Sequence, residues 1–207
     1  HAMGIVSGLF GYLVAAGYLA GNPLALRRRR KSGRKPAKVE RYLDHATWQF
    51  VLDFVERWPR ETIRERQHFE RVRWVLRLLH GTGLRASEAA KARAADLMFR
   101  RGNWWLRVLG KGGVEGDVPV GVELMQAYVR YRAFCGLPAL ISPDDASPLV
   151  MSIAGNHDAC LTSTAIYLIV KDVFLRAAEA RDADDPAAAA VLRRVSTHWL
   201  RHTAATH

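Results

Sequence analysis

His198 and Arg201 stand three residues apart in the segment Ser196, Thr197, His198, Trp199, Leu200, Arg201, His202, Thr203. If that segment opens a helix, the two side chains share a face and can grip one phosphate between a ring donor and a guanidinium fork. Arg85 lies in Thr82, Gly83, Leu84, Arg85, Ala86, Ser87, Glu88, just past two glycines and near the start of a predicted short helix. A helix start with free amides beside a guanidinium favours an anion. Lys111, between Gly110 and Gly112, falls on a predicted turn from which a long cation can swing into a cleft. Glu88, one helical turn after Arg85, either orients that arginine or forms ordinary helix charge pairing. Each residue also has a plain structural reading: a surface arginine after a glycine-stopped helix, a solvated hairpin lysine, a helix-start histidine. His198 and His202 have the i, i+4 spacing of a metal pair. No Cys, Asp or Glu follows Thr197 to supply the third protein ligand a zinc site takes, so no metal is assigned.

The elements that must carry these residues are mostly helices. Asp44 or Thr47 can cap a helix whose Trp48, Val51, Leu52 and Val55 form one apolar face, stopping at Trp58-Pro59. From about Ile63 to His80, Phe69, Val72, Leu76 and Leu79 keep helical spacing while Arg64, Arg66, Arg71, Arg73 and Arg77 cover the remainder, and Gly81 and Gly83 end it. A short helix from Ala86 to Arg93 follows. Trp104 to Leu109 reads as a strand, Gly110 to Gly116 as a turn, and Asp117 to Val120 as a returning strand. Further helices are expected at Val122 to Cys135, Thr162 to Arg181, Ala187 to Arg194 and from Thr197 onward. A Pro-rich loop near Pro138 to Pro148 and a turn at Asp182 to Pro186 separate them. The fold class is mainly α with a small antiparallel β-sheet.

The charge narrows the partner. There are 31 Lys and Arg against 20 Asp and Glu, a net +11, in a chain of 207 residues that is 49% hydrophobic. That is enough apolar material for a packed domain, and its basicity favours a polyanion, nucleic acid first. Cys135 and Cys160 suggest neither a disulfide framework nor a thiolate metal site, and a reducing cytoplasm fits. His1, Ala2 and Met3 read as a cloning scar. Ile5 to Leu26 is as long as a membrane span and is followed by Arg27, Arg28, Arg29, Arg30 and Lys31. Gly8, Gly11, Gly17, Gly21 and the Asn22-Pro23 break cut the apolar run to roughly 15 residues, so a buried helix ending at Asn22-Pro23 is expected in place of a span. From Arg27 to Arg41 there are nine basic residues against Glu40, with Gly33 and Pro36 inside. This basic linker is either a solvated connector or a strap along phosphates, with Arg27 to Lys31, Arg34, Lys35 and Lys38 as its contacts.

Three motifs fall in order: Thr82 to Glu88, then Asp96-Leu97 and Gly110-Lys111-Gly112 running into Val118-Pro119-Val120, then Thr197-His198-x-Leu200-Arg201-His202-Thr203 with Ala205-Thr206-His207. From about Val39 to the end this pattern resembles the tyrosine recombinase, or phage integrase, family, and Phe10 to Pro23 more weakly resembles the last helix of its core-binding domain. The resemblance implies the catalytic-domain fold of that family over 42–207, preceded by the end of a core-binding domain over 1–26 and the linker at 27–41. It implies site-specific recombination or integration on double-stranded DNA, by bacterial, phage or mobile-element proteins in the cytoplasm and at the nucleoid. A tyrosine hydroxyl attacks a phosphodiester and leaves a 3′-phosphotyrosyl link, with no metal or nucleotide cofactor. Arg85 and Arg201 then match the arginines that stabilise the charged phosphate, Lys111 the general acid, and His198 the assisting histidine; Glu88 and His202 match supporting positions. The family's tyrosine and second His or Trp belong some tens of residues past the His-x-x-Arg motif. Tyr12, Tyr18, Tyr42, Tyr128, Tyr131 and Tyr167 all precede it, so no nucleophile is assigned. The expectation is a catalytic domain incomplete at its C-terminus, a monomer that holds DNA without cutting, from a parent that works as a tetramer on DNA. A non-catalytic DNA-binding remnant or regulator on the same fold is the alternative.

Overall fold

A computed structural model of the chain describes residues 2–24, 42–110, 113–153 and 159–204. Two units divide it, His1–Glu40 and Arg41–His207. In the first, helix α1 spans Ala2–Ala15, so it includes residues set aside above as a scar and stops short of Asn22-Pro23. The stop is local: Gly17 takes φ +77°, and the amides of Gly17 and Tyr18 turn back to the carbonyls of Val14 and Leu13. Asn22 instead folds the tail onto the helix, donating from Nδ2 to the Ser7 carbonyl at 3.1 Å and accepting from the Leu24 amide at 2.9 Å. Ile5, Leu9 and Tyr12 are exposed, which corrects the expected buried helix. No helix among the described residues is long and apolar enough to cross a membrane. The basic stretch Arg27 to Lys38 lies outside the described residues.

The second unit runs α2 (His45–Glu56), α3 (Ile63–Thr82), α4 (Ala86–Lys91), a 3-10 turn (Ala94–Asp96), β1 (Leu97–Arg100), β2 (Asn103–Leu109), β3 (Glu115–Val120), α5 (Val122–Phe134), α6 (Ser163–Arg181), α7 (Pro186–Arg194) and α8 (Thr197–Ala204). Capping chemistry starts the helices where polar residues stand. Asp44 accepts from the Thr47 amide, Thr162 from the Ala165 amide, and Thr62 with Glu65 completes a reciprocal box. Helix α3 is the centre, packed by α2, α4, α5, α6, α8 and β3. That position explains why Trp74, Val75 and Leu78 are buried along with the expected Phe69, Val72, Leu76 and Leu79. Arg71, Arg73 and Arg77 of α3 are therefore half-buried between packed neighbours, while Arg64 and Arg66 near its start stay exposed. Gly81 lies inside the helix; a Cβ there would come within 2.9 Å of Leu124 Cδ2, so glycine lets α5 approach.

The sheet has three antiparallel strands in the order β1-β2-β3, one more than the hairpin read from sequence. Leu97 pairs with Leu106 and Phe99 with Trp104, while Trp104 pairs with Val120 and Leu109 with Glu115. The turn between β1 and β2 puts both Arg101 (φ 52°) and Gly102 (φ 80°) in left-handed backbone. The loop after α5 is tied down rather than loose. Arg132, 1% exposed, donates from Nε to the Pro138 carbonyl at 2.8 Å and from Nη1 to Ser147 Oγ at 3.2 Å, and its Nη2 pairs with Asp145 at 2.7 Å. The amides of Ala94, Ala95 and Leu149 add backbone bonds between this loop and residues 92–95.

Candidate functional site

Three of the residues that the motifs single out, Arg85, Glu88 and Arg201, are gathered where α3 ends. Gly83 adopts φ 63°, closes the helix by donating its amide to the Leu79 carbonyl at 3.0 Å, and turns its own carbonyl outward. Arg85 then sits at the N-cap of α4 with extended backbone. Because its own side chain does not cap, Glu88 reaches back: Oε2 accepts from the Arg85 amide at 2.8 Å and Oε1 from Arg85 Nη1 at 2.6 Å. One carboxylate thus caps the helix and aims the guanidinium.

Arg201 arrives from the other end of the chain. On α8, Trp199, Leu200 and Thr203 are buried, so the helix turns His198, Arg201 and His202 outward. Arg201 Nη1 donates to the Gly83 carbonyl at 2.7 Å and lies 3.6 Å from Glu88 Oε2. Two guanidiniums therefore converge on Glu88, whose side chain is only 8% exposed, while Arg85 and Arg201 remain 50% and 39% exposed. Among the described residues, each engages its fork through Nη1 alone. The remaining donors of both can serve one outside oxyanion, and two positive charges against one negative leave the cluster short of an anion. Burial pushes the Glu88 carboxyl upward, but the Arg85 amide and guanidinium bonds and the charges of Arg85 and Arg201 outweigh it, holding the carboxyl below the usual range.

His198 and His202 face each other, Nε2 to Nε2 at 3.0 Å, with rings edge to face at 4.5 Å between centroids. A neutral pair can hold that contact with one ring donating and the other accepting. Among the described residues no group of three His, Cys, Asp or Glu side chains is placed to hold a metal ion. Lys111 lies outside the described residues; the strands that flank it end at Leu109 and begin at Glu115, and the Gly110 amide donates to the Val114 carbonyl at 2.8 Å. Arg27, Arg28, Arg29, Arg30, Lys31, Arg34, Lys35 and Lys38 are likewise outside them.

Geometry and motif order now meet the comparison with known proteins: the phage integrase family model matches residues 41–207. The chain belongs to the phage integrase family. Tyrosine recombinase XerC of Staphylococcus saprophyticus is 29% identical over 174 residues, covering 82% of this chain and 50% of that protein. A site-specific recombinase XerH solved in a pre-cleavage complex with its difH substrate superposes with a TM-score of 0.54 at 19% identity, over 84% of this chain and 44% of that one. A lambda integrase tetramer solved on a Holliday junction gives 0.51 at 17% identity, over 97% of this chain and 51% of that one. At such identities the structural likeness is one of fold, and it matches the mainly helical architecture with its small sheet. The chain spans about half the length of the relative it matches.

Three contributors escaped the sequence reading. The Gly83 carbonyl is an acceptor that a glycine at a helix end gives no hint of. Thr203 donates to the Trp199 carbonyl at 2.9 Å and accepts from the Leu43 amide at 3.0 Å; it stands in the third motif, but nothing there points to these partners. Lys171 on α6 donates to the carbonyls of Arg193 at 2.5 Å and Val195 at 3.2 Å, at the end of α7 just ahead of α8, where a cation suits a helix C-terminus. Nothing in its spacing marks it. Gly83→Ala is expected to cost about 1 kcal/mol of stability, because alanine is strained at φ 63°; chemical denaturation of the variant measures it.

Proposed function

We propose that residues 42–207 are the catalytic unit of a site-specific recombinase that grips a DNA phosphodiester between Arg85 and Arg201. The observation that carries this is the convergence of the two guanidiniums, one from the N-cap of α4 and one from α8, on the single carboxylate of Glu88. In the complete protein a tyrosine oxygen bonds to phosphorus, the bond to the 5′-oxygen breaks, and a 3′-phosphotyrosyl link remains. Negative charge grows on the non-bridging oxygens, where the two forks donate. Lys111 gives the departing 5′-oxygen its proton, and His198 assists the tyrosine proton or the phosphate. The free 5′-hydroxyl of a partner strand reverses the step and rejoins DNA, so no cofactor is consumed.

Double-stranded DNA is the partner, held along Arg27 to Lys38 by the linker between a core-binding segment at 1–26 and the catalytic unit. The XerH recombinase named above is solved on its difH substrate and the lambda integrase tetramer on a Holliday junction, which supports DNA as the partner and a tetramer as the working assembly of the complete protein. The nucleophile is not among the six tyrosines of this chain. Tyr128 and Tyr131 are buried; burial pushes the Tyr128 hydroxyl up to about 12 and raises that of Tyr131 as well, the opposite of activation. Tyr12 and Tyr18 belong to the other unit, and no motif of the family falls on Tyr42 or Tyr167. The 207 residues therefore bind DNA as a monomer and leave it intact, at the nucleoid of a bacterial cytoplasm.

A nicked suicide substrate tests this: no covalent protein–DNA adduct should form with this chain, and an adduct would show that one of its tyrosines is the nucleophile. Extending the chain to a downstream tyrosine should restore the adduct; failure to do so favours a DNA-binding module without chemistry. If about six phosphates are neutralised, log affinity should fall with log salt at a slope of about −5. A slope near zero in a salt titration would remove the basic surface from the account.

A further inference from the structure

We propose that Thr203 is a positioning residue for Arg201, tying the placement of that guanidinium to the point where the chain enters the catalytic unit. The inference rests on the reading of Arg201 as a phosphate ligand. Thr203 is fully buried, two residues past Arg201 on the same short helix. Its hydroxyl spends its one proton on the Trp199 carbonyl, so it can only accept from any further partner, and it takes the amide of Leu43, 160 residues away in sequence. Leu43 is itself buried, directly before α2 and two residues after Arg41, the last cation of the basic segment. This bond fixes α8 at its C-terminal end, as Lys171 fixes the chain entering it. With both ends held, rotation of α8 about its axis is blocked, and the Arg201 contact with the Gly83 carbonyl is kept in register. A displacement of Leu43 is then felt at Arg201 through one hydroxyl.

The test uses the 207-residue chain uniformly labelled with 15N, and first reads hydrogen exchange of the Leu43 amide and of the Arg201 Nη protons, which make the Gly83 contact, without ligand. Thr203→Val keeps the shape, removes the acceptor and strands the Leu43 amide; exchange at Arg201 and at the Leu43 amide should both quicken about fivefold, the factor expected for one lost hydrogen bond. Thr203→Ser keeps the hydroxyl and should return both to the wild-type rates. Thr203→Ala reads the same effect if the valine variant does not fold. Quickening at Leu43 with Arg201 unchanged overturns the proposal and leaves Thr203 a local structural residue. A second arm titrates inorganic phosphate and follows the Arg201 resonance, which should shift less readily in Thr203→Val. A wild-type chain whose Arg201 ignores phosphate would count against the phosphate reading, while the ligand-free exchange still decides whether Thr203 positions the side chain.

Discussion

Replacing Arg201 or Arg85 with alanine in a complete recombinase carrying this unit is expected to lower strand cleavage by about 10²–10³-fold while DNA affinity falls only a few-fold. The asymmetry follows from where each interaction is strongest. A ground-state phosphodiester carries one negative charge that any surface cation meets, whereas the charge that builds during attack sits on oxygens that only a preorganised fork reaches. Glu88 supplies the preorganisation by binding Nη1 of Arg85 and lying close to Nη1 of Arg201. Single-turnover cleavage of a suicide substrate, compared with equilibrium binding at fixed salt, separates the two quantities. Equal losses in both would reduce the arginines to positioning contacts.

Asp145→Ala is expected to lower stability by about 3 kcal/mol, because it leaves the buried Arg132 guanidinium without its counter-charge. For a unit of this size, that is a fall of roughly 6–12 °C in the midpoint of thermal unfolding. The Arg132 contacts to Pro138 and Ser147 remain but are neutral, so they do not offset the charge. Burial pushes the Asp145 carboxyl upward, yet hydrogen bonds from the Ser147 hydroxyl and amide and from Arg132 outweigh it, and the carboxyl titrates below its usual 3.8. A carboxyl depressed on folding contributes stability that is complete above its unfolded pKa, about 4, and lost as pH falls through the lower folded value. Acid titration of wild type and Asp145→Ala should therefore converge as pH drops. Curves that keep a constant separation would assign the loss to packing.

Helix α3 shows how far the sequence alone reaches. Its apolar spacing located it to within two residues, yet the burial of Trp74, Val75 and Leu78 depends on packing by six other elements that no local pattern announces. Strand β1 was missed for a different reason. It has four residues, and its turn places an arginine where Asn or Gly is the usual signal, so Arg101 hid the hairpin. The buried pairing of Arg132 with Asp145 was equally silent, since an arginine on a helix reads as solvated until its partner is known. At the site, residue types and motif order named Arg85, Glu88 and Arg201. What spacing could not supply was their meeting point: the Gly83 carbonyl is backbone, and backbone acceptors leave no residue-type signature.

The contact between Arg201 and Gly83 joins residues 118 apart in sequence, and its helix is the last described element of the chain. Synthesis proceeds from the N-terminus, so a nascent chain presents Arg85 and Glu88 as a lone neutralised pair for most of its time on the ribosome. Only when Thr203 has emerged does the second guanidinium arrive and the local charge become positive. The order of translation thus makes Arg201 the last of Arg85, Glu88 and Arg201 to emerge, so the three-residue cluster forms only after α8 is synthesised.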